Sequence, residues 1–471
     1  ARYELARFSR PPAAEAPQIA RRLGGSWSAA ELPHRVSQKF VEAVLRRHAQ
    51  ALPSVTVRYG WQLQVFDASR ADDVVAVVAP TGGGSAERVR ARFLIGADGA
   101  RSRVRRSLGI GWTGETGVVR DFMGGRMLAV YLRSPSFYDA VPHRRAWMYV
   151  SFNRERRAFM AAVDGRGEFA FHTQLRDDEP EEDALSEAAS RAKFEQALGA
   201  SIPVEILSTG VWTAGHALVA ERMRSGRVLL GGDAAHLFTP AGGLGYNTAV
   251  EDAVNLGWKL AAALRGCGGP GLLDSYERER IPLARRNTGY ARQFADSLGL
   301  FRPAPELEDG TPQGEAARRA AGTYFDAHAR REFDIPGVTF GGRYDGSPVI
   351  CSDGSAPPAD SPHGYVPTAC PGGRAPHAWL PDGRSLFDAF GFDWTLLDLR
   401  SQPSAGEPVQ PLLDAATAAG IEISHVAPRV PALRDLYEAD LAIVRPDQIV
   451  AWRGSGRGID PSGLWRRLLG W

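Results

Sequence analysis

Apolar residues recur along the chain with two periods, and the switches between them mark its organisation. Between Val36 and Leu52, residues Phe40, Val41, Val44, Leu45 and Ala49 keep the i, i+3, i+4 spacing of one helical face, which predicts an amphipathic helix. Strands are predicted over residues 55–59, 62–67 and 74–78. The run TGGG at 81–84 reads as a hairpin tip leading to a strand over 90–96, because glycine accepts the positive φ of tight turns. From Phe122 to about Leu207 the period falls to two, with strands predicted over 126–132, 146–152, 158–163 and 168–175, an inserted antiparallel sheet. Helical spacing then returns, with Val250, Val254, Gly257, Ala261 and Leu264 on one stripe. A Pro/Gly/Asp-rich linker over 341–367 leads into a separate β/α alternation that ends in LAIVRPDQIVAWRG.

At 471 residues the chain has room for two or three domains. Hydrophobic content of 44% and charged content of 23% are ordinary globular values, which excludes a disordered, collagen-like or disulfide-scaffold class. The net charge of +2 supplies no concentrated basic face, so neither nucleic acid nor an anionic membrane is an expected partner. Cys267, Cys351 and Cys370 keep no redox or metal spacing, which fits free thiols in a reducing, cytoplasmic compartment. His363, Cys370 and His377 match no zinc pattern, and no metal is expected. No stretch approaches the ~20 apolar residues of a membrane helix, and the opening ARYELARFSRPP lacks a basic region followed by an apolar run.

Two segments run an apolar strand into a glycine turn and then a helix, and each carries an aspartate in the turn. In open parallel sheets ligands sit at such strand ends, where helix N-termini offer unpaired N–H groups and partial positive charge. One is FLIGADG, with Asp98 and Gly99; the other is GRVLLGGDAAHLFTPAGGLGYN, with Gly232 and Asp233. An aspartate before a helix is also an ordinary cap. At Asp233 the continuation Pro240, Gly243, Gly245, Tyr246, Asn247 favours a ligand, because glycines let backbone amides approach a planar group closely. His236 reads as a structural partner within the same turn, not as a base.

These residues resemble the flavin-dependent aromatic hydroxylases, the class A monooxygenases of the phenol and p-hydroxybenzoate hydroxylase type. GDAAH followed by P, GG, G, N and DAVNLGWKLA is similar to that family's second FAD motif, FLIGADGARSRVR to its DG motif, and LLDSYERERIP to its LLDSYxxERxP helix. The tail from PGGRAPHAWLPDG to IVRPDQ resembles the thioredoxin-like C-terminal domain of its larger members. The implied fold is α/β: a Rossmann-like FAD-binding domain over 1–114 and 208–345, an inserted antiparallel substrate domain over 115–207, and a thioredoxin-like α/β domain over 346–471. The family opens with strand, GxGxxG and helix. The two literal matches here, at 109–114 and 266–271, follow helices, so the resemblance implies that this N-terminal unit is missing from the given chain.

The resemblance implies an enzyme that takes FAD, NAD(P)H as co-substrate, O₂ and a small phenolic or polycyclic aromatic, hydroxylated through a flavin C4a-hydroperoxide. Baeyer–Villiger or epoxide-forming oxygenation of a polyketide is the alternative within the fold, and a flavin-free binding module the alternative outside it. Carried over by motif position, Asp233 holds a ribityl hydroxyl, Gly232 permits the turn, and Pro240 packs near the ring. Gly243 is a further cofactor-binding position, and the amides of Gly245, Tyr246 and Asn247 face the pyrimidine side. Asp98, Gly99 and Arg101 lie near the diphosphate and the nicotinamide path, and Gln38 and Arg46 lie along FAD. Strand alternation in the inserted sheet offers Met127, Tyr131, Trp147, Tyr149 and Phe171 as pocket walls, and no residue stands out as the base. The C-terminal domain lacks Cys-x-x-Cys, so packing or homodimer contacts are its expected role.

Overall fold

The computed structural model describes residues 2–116, 124–401 and 409–471. After α1 (Ala16–Arg22) and α2 (Gln38–Ala51), strands β1 (Trp61–Asp67), β2 (Val74–Pro80) and β3 (Glu87–Ala91) form a meander whose last turn is the glycine tip. Residues 55–58 are not a strand; Val55 N–H turns back to Leu52 O at 3.0 Å. The strand predicted over 90–96 divides, and β4 (Leu94–Gly96) leaves the meander for a parallel pairing with a distant partner. Helix α3 (Arg103–Ser107) and strand β5 (Trp112–Glu115) follow.

The inserted region contains β6 (Gly125–Arg133), α4 (Phe137–Ala140), β7 (Met148–Phe152), β8 (Arg157–Ala162), β9 (Glu168–Gln174), α5 (Glu181–Ala184), α6 (Glu187–Leu198) and β10 (Glu205–Ala214). Its strands make one antiparallel sheet in the order β10–β6–β9–β8–β7. The expected start at Phe122 lies outside the described residues. The expected boundary at 207 runs through β10, which pairs along its whole length with β6, so the sheet closes at Ala214. One face buries Leu128, Val130, Phe169 and Phe171 against Phe137 of α4 and Phe194 of α6.

Four short strands return the chain to the first domain: β11 (Ala217–Ala220), β12 (Arg224–Ser225), β13 (Val228–Leu230) and β14 (His236–Leu237). β11 lies between β14 and β5, while β13 runs parallel to β4 with Leu230 opposite Gly96. Gly96 is obligatory there, since a Cβ would sit 2.8 Å from Val104 of α3 and 2.9 Å from Leu230. The long helices α7 (Leu244–Arg265), α8 (Pro270–Gly299) and α9 (Pro312–Phe333) and the short α10 (Pro336–Phe340) complete this part. Fully buried Val228, Leu229 and Leu230 form its centre, with Leu256 of α7 and Tyr276 of α8 around them.

Helix α7 inverts its predicted orientation. The apolar stripe is outside, with Val250 43%, Val254 47% and Leu264 46% exposed, and the buried face carries Thr248, Asp252, Asn255, Leu256 and Lys259. Burying that polar stripe is tolerated because every charge on it meets a partner. Helix α2 forms where its spacing predicts, yet none of its residues is buried.

The C-terminal domain comprises β15 (Trp394–Asp398), α11 (Val409–Ala418), β16 (Ile423–Val426), α12 (Pro431–Tyr437), β17 (Leu441–Val444), β18 (Val450–Gly454) and α13 (Pro461–Leu468). The sheet order is β16–β15–β17–β18, with β15 and β16 parallel and the other pairs antiparallel. Trp394 and Trp452 are core residues, and Trp394 meets Trp258 of α7 edge-on at 5.5 Å, so this sheet packs directly on the long helices. No helix among the described residues is long and apolar enough to cross a membrane.

Candidate functional site

The parallel pair β4–β13 places both aspartate turns side by side at its carboxyl end, where Gly231 N–H donates to Gly96 O at 3.1 Å. The two carboxylates are used differently. Asp98 caps α3: it accepts from Ser102 Oγ at 2.5 Å and from the N–H groups of Arg103 at 2.7 Å and Val104 at 3.1 Å. Burial would raise its pKa, but these donors outweigh that and hold it below the ordinary value. The side chain that the resemblance sends toward a diphosphate is therefore committed to its own helix, while Gly99 (φ +77°) and the exposed Arg101 stand beside it.

Asp233 is exposed and makes no hydrogen bond or ion pair among the described residues. It stands on a turn fixed from below, since Gly232 (φ +60°) donates its N–H to Asp252 Oδ2 at 3.0 Å. Asp252 also accepts from His236 Nε2 at 2.6 Å and from Arg280 Nε at 2.7 Å, all out of solvent. Burial would raise the Asp252 pKa, but the Arg280 and His236 partners hold it low. His236 is thus the structural partner its place in the turn suggested.

The chain reaches α7 through Gly242 (φ +66°) and Gly243 (φ +68°), a left-handed pair that only glycine adopts without strain. No side chain caps the first turn of α7, so the amides of Leu244, Gly245 and Tyr246 point out of its end. Asn247 turns its Nδ2 back to Gly243 O at 2.8 Å. Pro240, Gly243, Tyr246 and Asn247 are all exposed. Among the described residues neither Gln38 nor Arg46 hydrogen-bonds to the turns. Gln38 donates to Glu42 within α2, and Arg46 lies 5.8 Å from the Tyr59 ring.

The loop is tied to the inserted sheet, as Thr239 Oγ1 donates at 3.1 Å to the carbonyl of His216, two residues beyond β10. Helix α9 closes the other side: Glu332 Oε1 accepts from Gly242 N–H at 3.1 Å, and Phe325 stacks on Phe152 of β7 at 4.6 Å. Between them lies the face of the sheet turned away from its core, carrying Tyr131, His172 and Trp212, with Met127 of the same parity fully buried. Tyr131 OH accepts from Lys39 Nζ at 2.6 Å and contacts Glu168, and Trp147 sits at the rim beside Phe333 and Arg35. Two expected wall residues are corrected. Tyr149 meets Phe137 at 5.1 Å and Phe171 meets Phe194 at 5.5 Å, both on the core face, because their strand parity is opposite to that of Met127. His172 and Trp212 were missed, although alternation continued from Met127 across the register reaches both.

Residues 15–291 match the family model described as an FAD binding domain, and residues 368–471 match the aromatic-ring hydroxylase C-terminal model. The chain belongs to the FAD-dependent aromatic hydroxylases. It is 32% identical over 442 residues to a putative polyketide hydroxylase of Streptomyces halstedii, covering 88% of this chain and 73% of that protein. It is 32% identical over 408 residues to an aklavinone 12-hydroxylase of Streptomyces peucetius, covering 84% and 75%. The solved flavin-dependent monooxygenase PieE, in complex with FAD and substrate, superposes with a TM-score of 0.79 at 29% identity over 92% of this chain and 79% of its own. This hydroxylase therefore takes FAD as its cofactor. The donor set fits one: an unpartnered carboxylate for a sugar hydroxyl, and open amides at a helix N-terminus for the electron-rich edge of a ring.

Beneath the site, a second buried cluster fastens the C-terminal domain. Glu279 of α8 accepts from Lys259 Nζ at 2.6 Å, from Asn255 Nδ2 at 2.8 Å, from Ser347 Oγ at 2.6 Å and from both terminal nitrogens of Arg445, at 2.7 and 2.9 Å. Burial would raise the Glu279 pKa, but Arg445 and Lys259 drive it well below the carboxylate range. Burial brings Lys259 down to about 8 against the pull of Glu279.

Proposed function

We propose that this hydroxylase inserts oxygen from O₂ into a phenolic, polycyclic aromatic bound between the Gly232–Asn247 turns and the open face of the inserted sheet, using NAD(P)H as reductant. The observation that carries the reading is the Asp233 carboxylate, left without a partner on a turn that glycine geometry and Asp252 hold rigid. Being exposed, the carboxylate is free to exchange its water for a ligand hydroxyl, and its turn holds it in one place to do so. The names of its relatives, polyketide and aklavinone hydroxylases, support a fused-ring substrate.

When bound, the flavin supplies two-electron reduction and oxygen activation. The chain's own residues do the rest. Asp233 accepts from a ribityl hydroxyl, and the amides of Gly245 and Tyr246 at the α7 N-terminus stabilise negative charge on the pyrimidine side of the ring. Pro240 packs against the ring, and Gly99 and Arg101 border the diphosphate. Gln38 and Arg46 are assigned to the flank of the dinucleotide by motif position alone. Tyr131 lines the pocket with Trp147 at its rim and Met127 buried behind, while α9, tied to Gly242, excludes water from it.

The visible spectrum of the purified protein with added FAD, followed by NAD(P)H oxidation with a panel of phenols, tests this. Flavin bands with phenol-stimulated oxidation and recovery of hydroxylated product are expected. A protein that stays colourless with FAD would overturn the reading in favour of a flavin-free module.

A further inference from the structure

His172 lies in the middle of the open sheet face, on β9, opposite Ala129 of β6 and Phe159 of β8. Its surroundings on that face are small: Ala129, Ala170 and Ala161 share its parity, and Gly210 of β10 pairs with Ala129. A Cβ built on Gly210 meets nothing within 4 Å, so space stands above this stretch of sheet. Larger side chains, Met127, Tyr131, Trp212 and Phe159, border the small ones. The result is a stretch of small side chains wide enough to underlie a planar fused ring, with one imidazole at its centre.

The imidazole is held in place and its proton is assigned by its neighbours. Phe159 stacks on it at 4.5 Å with the planes 10° apart, and Trp212 meets it edge-on at 6.1 Å. Trp212 Nε1–H donates to His172 Nδ1 at a long 3.4 Å. An indole nitrogen can only donate, so Nδ1 is the acceptor and the ring proton sits on Nε2. Nε2 has no hydrogen-bond partner among the described residues. Burial pushes the imidazole down to about 4, so it is neutral near pH 7 and presents this single donor.

We propose that His172 Nε2–H donates to the phenolic oxygen of the aromatic substrate lying on the Ala129–Ala170–Gly210 floor, and so selects hydroxylated rings over bare ones. The assignment rests on the proposed function and adds a specificity-determining residue to it. A neutral donor at the phenolic oxygen stabilises the phenolate, the electron-rich form that an electrophilic oxygen transfer needs. His172 is not a base here, because its acceptor nitrogen already faces Trp212.

Equilibrium dialysis of the FAD-loaded protein with β-naphthol and with naphthalene, which lacks the oxygen, tests the assignment without turnover. His172→Phe keeps the aromatic stack and removes the donor; His172→Gln keeps a donor. The expected result is a loss of about ten-fold in β-naphthol affinity in His172→Phe, the size of one hydrogen bond, unchanged naphthalene affinity, and partial recovery in His172→Gln. Equal loss for both probes, or no loss for β-naphthol, overturns the role of His172 while the pocket reading stands. Failure of wild type to bind either probe overturns the pocket reading and this assignment with it.

Discussion

The ion cluster beneath α7 and the turn leading to its N-terminus use carboxylates in opposite ways. Glu279 is fully enclosed and both of its oxygens are taken by donors from α7, the linker and the C-terminal sheet. Asp233, on the turn, has none. Asp98, on the neighbouring turn, lies between these extremes, exposed yet bonded to its own helix. A fold satisfies the charges it buries, as at Glu279, while the exposed Asp233 on its glycine-built turn stays available to another molecule. The contrast separates acids that hold the scaffold from the one proposed to hold the ligand.

The largest effect should come from the enclosed end of the series. Glu279→Ala leaves Lys259 and Arg445 buried without their shared counter-charge, and equilibrium denaturation should show a loss of about 3–5 kcal/mol. A change below about 1 kcal/mol would mean that the cluster is not what joins the domains.

Asp233→Ala should behave in reverse. With no partner to lose, stability of the flavin-free protein should stay within about 0.5 kcal/mol, while FAD affinity falls at least about ten-fold through one charge-assisted hydrogen bond. Retention of stoichiometric, tightly held flavin would show that Asp233 does not hold the ribityl chain.

Asp98→Ala sharpens the middle case and carries the smallest effect, about 1 kcal/mol of stability from the lost cap. The folded-state pKa of Asp98 is depressed, so its stabilisation is present above the unfolded carboxylate value and disappears as pH falls through the folded one. Denaturation midpoints of wild type and variant should therefore differ at neutral pH and converge below pH ~4. A gap that persists in acid would assign the effect to something other than the ionised cap.

The two faces of the inserted sheet show where sequence reading ran out. Alternation located its four predicted strands within a few residues, and Met127 and Tyr131 share the parity turned away from the core, although Met127 is fully buried. Tyr149 and Phe171 did not, because alternation sorts residues into two sets without saying which set faces the core. The same limit governs α7, where Val250, Val254 and Leu264 form the predicted stripe and lie outside. Its buried stripe reads as polar, and only the approach of Glu279, Arg280 and Arg445 from distant positions makes that burial affordable. His172 and Trp212 stayed hidden because their significance is their mutual contact, 40 residues apart in the chain.

The sequence by itself determined the local chemistry of this hydroxylase: two strand–turn–helix units, the glycines that build them, the aspartates they carry and the family they resemble. Those features depend on short-range geometry, φ angles and spacing, which are written into neighbouring residues. Tertiary structure alone decided which aspartate is spent as a cap, which stays open, which face of a helix or sheet is interior, and that His172 and Trp212 meet. Each of those depends on a partner brought in from elsewhere in the chain, and burial and hydrogen bonding are properties of the assembled neighbourhood, not of the residue.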